Sequence, residues 1–136
     1  MAIKFATEEW IKALQAELND SDAYREAAKT WEGDFYFVVS KGGAVPEDVY
    51  MYMDLWHGEC RDAFEVKDPG DKEPAFVMSA PVDVWQKVVG KELDPIKGMM
   101  TRQLKLKGNM MKIMKAPKAA IELVNCTAAI DTEWPE

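Results

Sequence analysis

Residues 34–40 read Asp-Phe-Tyr-Phe-Val-Val-Ser, five consecutive apolar or aromatic side chains between two polar ends. A strand sends alternate side chains to opposite faces, so this run is oily on both and belongs inside a sheet that is covered on each side. Lys41-Gly42-Gly43 ends it, and Gly42-Gly43-Ala44-Val45-Pro46 reads as a turn rather than a phosphate-binding loop. Residues 49–56 then alternate, with Val49, Met51, Met53 and Leu55 on one face and Tyr50, Tyr52, Asp54 and Trp56 on the other. A third strand is expected over 59–67, with Phe64 and Val66 on one side and Arg61 and Glu65 on the other. After the turn signal Asp68-Pro69-Gly70-Asp71, a fourth follows over 74–79 through Phe76, Val77 and Met78. Three strands in a meander and a fourth predict an antiparallel start.

Helices flank this block. Thr7 suits an N-cap, with Glu8 and Glu9 in the first turn and Trp10, Ile11, Leu14 and Leu18 as the buried stripe. Ser21 caps a shorter helix whose Tyr24, Ala27, Ala28 and Trp31 face the core, so residues 7–31 read as a helical clasp. Downstream, Pro81 opens a helix with Val84, Trp85, Val88, Val89 and Leu93 inward, and Asp94-Pro95 caps a short one through Met99 and Met100. Leu104-Lys105-Leu106-Lys107 has period two, Gly108-Asn109 turns, and Met110, Met111, Ile113 and Met114 have helical spacing. Ala116-Pro117 interrupts before a last helix over 118–129, and the chain from Thr132 onward reads as a frayed tail. Residues 1–136 are expected to form one domain, with helices over 7–31, sheet and helices over 33–129 and a tail over 130–136.

The net charge of −7 conceals an asymmetry. Between Pro95 and Ile121 lie seven basic residues and no acidic one, leaving ten basic against twenty-four acidic elsewhere. The excess of acid argues against nucleic acid as a partner, whereas the basic island suits a phosphate or an anionic headgroup and a transient anionic membrane contact. No apolar run is long enough to span a bilayer, and the first residues lead into a helix rather than a secretory signal, so a cytoplasmic location is expected. Cys60 and Cys126 are far apart in sequence and suggest neither zinc nor a disulfide framework.

Catalytic chemistry is thin. His57 is the single histidine, which excludes a two-histidine metal site and leaves His57-Gly58-Glu59-Cys60 as the one place where a base and a thiol come close. Glu59 and Asp62 work against a thiolate there. The chain is read as non-enzymatic, with no metal and no cofactor. What it has in excess is methionine: nine in 136 residues, five of them at 99, 100, 110, 111 and 114. Methionine conforms to variable apolar ligands, and an adaptable pocket between sheet and helices accounts for this clustering.

Val89-Gly90-Lys91-Glu92-Leu93-Asp94-Pro95-Ile96-Lys97-Gly98-Met99-Met100, followed by Leu104-Lys105-Leu106-Lys107-Gly108-Asn109-Met110, resembles the sterol carrier protein type two, or nonspecific lipid-transfer, domain over roughly residues 10 to 125. That resemblance implies an α+β fold, a mixed and largely antiparallel five-stranded sheet covered by helices and enclosing an apolar cavity for fatty acids, acyl-CoA or sterol-like lipids. Arg102 stands where the family has a glycine before the Lys-Leu-Lys run, and the stretch from Trp56 to Cys60 has no counterpart in the pattern. Phe37, Val39, Met51, Met53, Phe64, Trp85, Met100, Leu104, Leu106, Met110, Met114 and Leu123 are the candidate lipid-lining residues. Lys107, Asn109 and Lys112 are the candidate headgroup seat at a helix N-terminus.

The expected function is therefore binding, and transfer between membranes or between enzymes, of a lipid or acyl-CoA by a monomer or homodimer. A non-catalytic module presenting an acyl substrate to a partner enzyme, and a protein-interaction domain using a basic Met-rich surface, are the alternatives.

Overall fold

The computed structural model describes residues 2–43 and 45–135. Its centre is the strand β2 (Glu32–Ser40), the middle of five in the order β4-β3-β2-β5-β6, with β3 (Val49–Trp56), β4 (Glu59–Val66), β5 (Phe76–Pro81) and β6 (Lys105–Lys107). The doubly apolar run predicted a central strand, and it is one. Pairing is antiparallel except between β2 and β5, which run parallel in the register Phe35↔Phe76, Phe37↔Met78 and Val39↔Ala80. The meander thus stops after three strands. The chain then crosses to the far side of β2, a step that local alternation does not encode.

The crossing segment covers part of the sheet's outer face. The Tyr36 hydroxyl accepts from the Lys72 N–H at 3.0 Å and lies 3.0 Å from the Pro69 carbonyl oxygen, to which it donates. Beneath it Tyr36, Val38, Tyr52 and Val66 form a small cluster with Tyr50, Phe64 and Val77 packed against it. The inner face carries Phe35, Phe37, Val39, Met51, Met53, Leu55, Phe76 and Met78, and it is covered by helices.

Helix α1 (Glu8–Asn19) is capped by Thr7 and lies along β4, the edge strand. Three side chains at helical spacing meet the strand's free backbone: the Lys12 ammonium donates to Ala63 O at 2.9 Å, the Gln15 amide to Cys60 O at 3.1 Å, and Asn19 donates to Cys60 O while accepting from Cys60 N–H at 2.8 Å. An edge paired in this way offers no template for another strand. The register shifts between Asp54 and Leu55, so that Leu55 faces Cys60 while Asp54 faces Asp62. This bulge turns the small residues Cys60 and Ala63 inward, where α1 approaches closely, and leaves Phe64 on the outer face beside Tyr52. The expected lining role of Phe64 does not fit that placement.

Between β3 and β4, His57 and Gly58 both take positive φ, 49° and 81°, as a two-residue hairpin turn requires. A Cβ on Gly58 would lie 2.6 Å from Arg25 O, in the helix α2 (Asp22–Ala27), so close packing adds to the conformational demand. The turn predicted through Ala44 is seen at its flanks, where Gly42 and Val45 form an antiparallel bridge; Ala44 lies outside the described residues.

The remaining helices are α3 (Val82–Val89), α4 (Pro95–Met100), α5 (Met110–Met114) and α6 (Pro117–Ala128). Asp94 caps α4 by accepting from the N–H groups of Ile96 and Lys97, and the Trp85 indole of α3 donates to Val38 O at 3.0 Å. The frayed tail does not hold as predicted. Thr132–Glu133 forms β7, which pairs in parallel with β1 (Ile3–Lys4), Ile130 is buried, and Trp134 packs on Phe5 with ring centroids 4.5 Å apart. Both strands have only two residues, too few to show a period. Glu136 lies outside the described residues.

Candidate functional site

Between the inner face of the sheet and the helices lie two small apolar voids. The first, about 50 Å³, is lined by Phe35 and Leu55 from the sheet, Tyr24 and Trp31, and Ile113, Ala116, Ala119, Ala120 and Leu123. The second, about 40 Å³, lies under Phe37 and Met51 among Phe5, Trp10, Ile11, Leu14, Trp85, Val88, Val89, Val124 and Thr127, and Leu123 lines it too. The apolar space between sheet and helices thus consists of two small pockets, and Leu123 of α6 borders both.

Aromatic rings run along this inner face. Trp31 and Phe35 stack at 6.0 Å, Phe35 and Phe37 at 5.1 Å, and Phe37 meets Trp85 edge-on at 6.0 Å. Each indole N–H in the lining is satisfied: Trp10 donates to the Thr132 hydroxyl, Trp31 to Gly33 O and Trp85 to Val38 O. Amphipathic rings can line an apolar space at low cost once their polar tips are bonded.

A third space lies outside. Met99, Met100, Leu104, Leu106, Met110 and Met114, with Arg102 and Lys105, line an open groove of about 690 Å³. The five-residue helix α5 therefore has Ile113 against the first void and Met110 and Met114 against the groove. Met100 in this groove is 63% exposed beside Arg102 and Lys105, so the groove is basic and oily together, and Met111 of α5, outside the groove, is 61% exposed. Arg102 takes φ 63°, the left-handed conformation that a glycine adopts freely, which accounts for the glycine found there in the resembling pattern.

Of the candidate lining residues, the structure brings Phe37, Met51, Trp85 and Leu123 to the second void, and Met100, Leu104, Leu106, Met110 and Met114 to the groove. Val39 and Met53 are fully buried in the core without lining either void, and Phe64 is on the opposite face. Phe5, Ile11, Tyr24, Leu55, Ile113, Ala119 and Ala120 went unnoticed as lining. The apolar inward positions of β3 and of the helices α1, α2, α5 and α6 carry the signal, but it is the same signal that marks any core residue.

The headgroup candidates are rearranged. Asn109 accepts from the Lys112 N–H at 3.3 Å, so the N-terminus of α5 is already capped by its own side chain. The Lys112 ammonium donates to Glu32 O and lies 5.1 Å from the centre of the Trp31 ring, tying α5 to β2. Lys107 is exposed at the sheet edge, paired with Val77. His57 and Cys60 are not brought together as a base and nucleophile. His57 stacks on Trp56 and meets the Glu32 carboxylate at 2.5 Å, while the Cys60 thiol points inward and donates to Asp62 O. Burial, aided by the Asp54 charge, pushes the Cys60 thiol up to about 12, which makes it inert as a nucleophile near neutrality.

No group of three or more potential metal ligands occurs among the described residues, and no helix among them is long and apolar enough to cross a membrane. Comparison with curated proteins gives no match. Among solved structures, the chain is similar to a crystal structure of sterol carrier protein 2, with 36% identity over 93% of this chain and 98% of that one and a TM-score of 0.83. It is also similar to the solution structure of a conserved hypothetical protein, possibly sterol carrier protein, from Thermus thermophilus, at 36% identity over 95% and 91% of the two chains and a TM-score of 0.82. Sterol carrier protein 2 from Yarrowia lipolytica in its apo form shares the fold at 24% identity, 87% and 88% coverage and a TM-score of 0.58. The sequence profile of the SCP-2 sterol transfer family matches residues 11–120, and with that match over most of its length the chain belongs to this family.

Proposed function

We propose that the protein binds a single lipid, a fatty acid, acyl-CoA or sterol-like molecule, in the apolar interior between the sheet and α5 and α6, and carries it without covalent chemistry. The observation that supports this most directly is the pair of voids under one aromatic-lined sheet face with Leu123 between them. Ligand pockets usually hold about 300–1,000 Å³, several times these volumes. Entry of a chain therefore requires Leu123 and α5 to move aside. Each buried methylene contributes about 0.8 kcal/mol, so a long acyl chain reaches micromolar affinity without a special polar contact.

The basic, methionine-lined groove is the expected site of loading, on the wet side of α5. Met100 and Met111 enter the interface of a bilayer, and Arg102, Lys105 and Lys107 meet anionic headgroups. Two free, buried cysteines suit a reducing compartment, in keeping with a cytoplasmic protein.

Mass spectrometry of an organic extract, compared with native mass spectrometry of the same preparation, tests the cargo. A releasable lipid at one per chain is expected; an empty protein that also fails to bind a fluorescent fatty acid at micromolar concentration removes the reading. For the loading face, K105E/K107E is expected to reduce flotation with phosphatidylglycerol-containing vesicles severalfold while leaving fatty acid affinity in solution unchanged. Unaltered flotation would separate the groove from any membrane role.

A further inference from the structure

The two edges of the five-stranded sheet differ. The outer backbone of β4 is taken up by Lys12, Gln15 and Asn19 of α1. Strand β6, at the other end of the order, pairs with β5 alone, and among the described residues no main-chain hydrogen bond joins 105–107 to any other segment. Lys105 and Lys107 are exposed there and Leu106 is half-buried. An edge of this kind is open to an extended chain that adds to the sheet.

The two faces of β6 differ in chemistry. In the register Val77↔Lys107, Met78↔Leu106 and Ser79↔Lys105, Met78 belongs to the inner core and Val77 to the outer cluster. Cross-strand partners share a face, so Leu106 is on the inner face and the two lysines are on the outer one. Leu106 also lines the methionine groove with Leu104, Met110 and Met114. Neither lysine is in a salt bridge among the described residues, and the sequence from Pro95 to Ile121 contains no acid. A strand laid beside β6 would set alternate residues beside Leu106 and beside the lysines.

Charge selects the occupant. Pairing β6 antiparallel with a second β6 about Leu106 would set Lys105 opposite Lys107 twice, and like charges directly opposite are destabilising. An anionic bilayer answers the charge and the methionines but offers no N–H and C=O groups in strand register. We propose that β6 accepts an extended segment of a partner protein in which acidic and apolar residues alternate, added at the sheet edge with its apolar side chains toward the groove. Partner and membrane then compete for one face. Such binding needs no lipid in the interior.

The probe is a capped, fluorophore-labelled heptapeptide, Glu-Leu-Glu-Val-Glu-Leu-Glu, titrated with the full chain by fluorescence anisotropy. One control has the same residues in block order, Glu-Glu-Glu-Glu-Leu-Leu-Val. Two others keep the order but are N-methylated, on the Glu amides in one and on the Leu and Val amides in the other, so that each loses the donors of one strand edge. Saturable binding of the probe is expected, with the block-order peptide and one N-methylated isomer, but not the other, weaker by about tenfold, the equivalent of one or two hydrogen bonds. K105E/K107E is expected to bind the probe at least about tenfold more weakly. In NMR spectra the amide signals of 104–107 and the methyl signals of Met110 and Met114 should shift. Equal binding of all four peptides would mean charge attraction without a strand and overturns the proposal, as do shifts confined to other surfaces. Absence of probe binding at up to about 1 mM protein also overturns it, and continued flotation with phosphatidylglycerol vesicles would then assign the face to a membrane.

Discussion

At Arg102 a single residue carries a conformational cost that its neighbours do not share. A left-handed conformation disfavours residues with a Cβ by roughly 1–2 kcal/mol, partly offset by the greater chain entropy of unfolded glycine. Arg102→Gly is therefore expected to raise stability by about 0.5–1 kcal/mol in urea denaturation, and a loss of stability would show that the arginine side chain has contacts outweighing its backbone. The buried thiols set a different dependence. Cys60 moves from about 9 to about 12, and Cys126 is raised in the same direction by burial. The unfolded chain releases thiol protons that the folded chain keeps, so stability is full below pH 9 and falls as pH rises toward 12. The Cys60 thiol contributes a slope of up to about 1.4 kcal/mol per pH unit in that window, and Cys126 acts in the same direction. Denaturation midpoints measured from pH 8 to 10 should decline in the parent protein and decline less steeply in C60A/C126A, where the tyrosines raised by burial, Tyr24 and Tyr52, still act in the same direction.

Two helices border the apolar spaces at the next scale. Helix α5 has five residues, one of them turned to the interior, and it is held by the Asn109 cap and by Lys112 on Glu32 O and the Trp31 ring. So short a helix has little stability of its own and depends on these ties. Helix α6 places Leu123 between the voids. Leu123→Ala joins them, and the expected cost to the ligand-free protein is about 2–4 kcal/mol, the range for leucine truncation in a core. Because the enlarged space takes an acyl chain with less displacement, added fatty acid should raise the Tm of L123A by more than it raises that of the parent. Equal rises in differential scanning fluorimetry would mean that Leu123 does not stand in the path.

Across the whole molecule, the two chain ends close the second void from outside. The β1–β7 pair places Phe5 against both Trp10 and Trp134, and Thr132 accepts the Trp10 indole proton at 3.0 Å. Removing residues 130–136 exposes Phe5 and Trp10 together and loses the buried Ile130, a change expected to cost about 3 kcal/mol or more in urea denaturation. A truncated chain as stable as the full one would show that this pairing does not close the core. The charge asymmetry also belongs to this scale, since an acidic body with a basic segment between Pro95 and Ile121 carries an uneven field.

Local periodicity was enough for the elements. The alternation of 49–56, the caps at Thr7, Ser21 and Asp94, and the doubly apolar 34–40 each report forces acting within a few residues, and each element was found where its pattern placed it. Membership of the family was legible for the same reason, in the contiguous run from Val89 to Met110. Tertiary structure alone decided what depends on pairing between distant segments: the parallel partnership of β2 with β5, the bulge that turns Phe64 out and Cys60 in, and the strand made by Thr132 and Glu133. The interior site belongs to this second class. Apolar residues that line a void and apolar residues that fill a core have the same solvation preference, so Met51 and Met53 are indistinguishable in sequence. Only the packing of α6 against the sheet leaves space beside one and none beside the other.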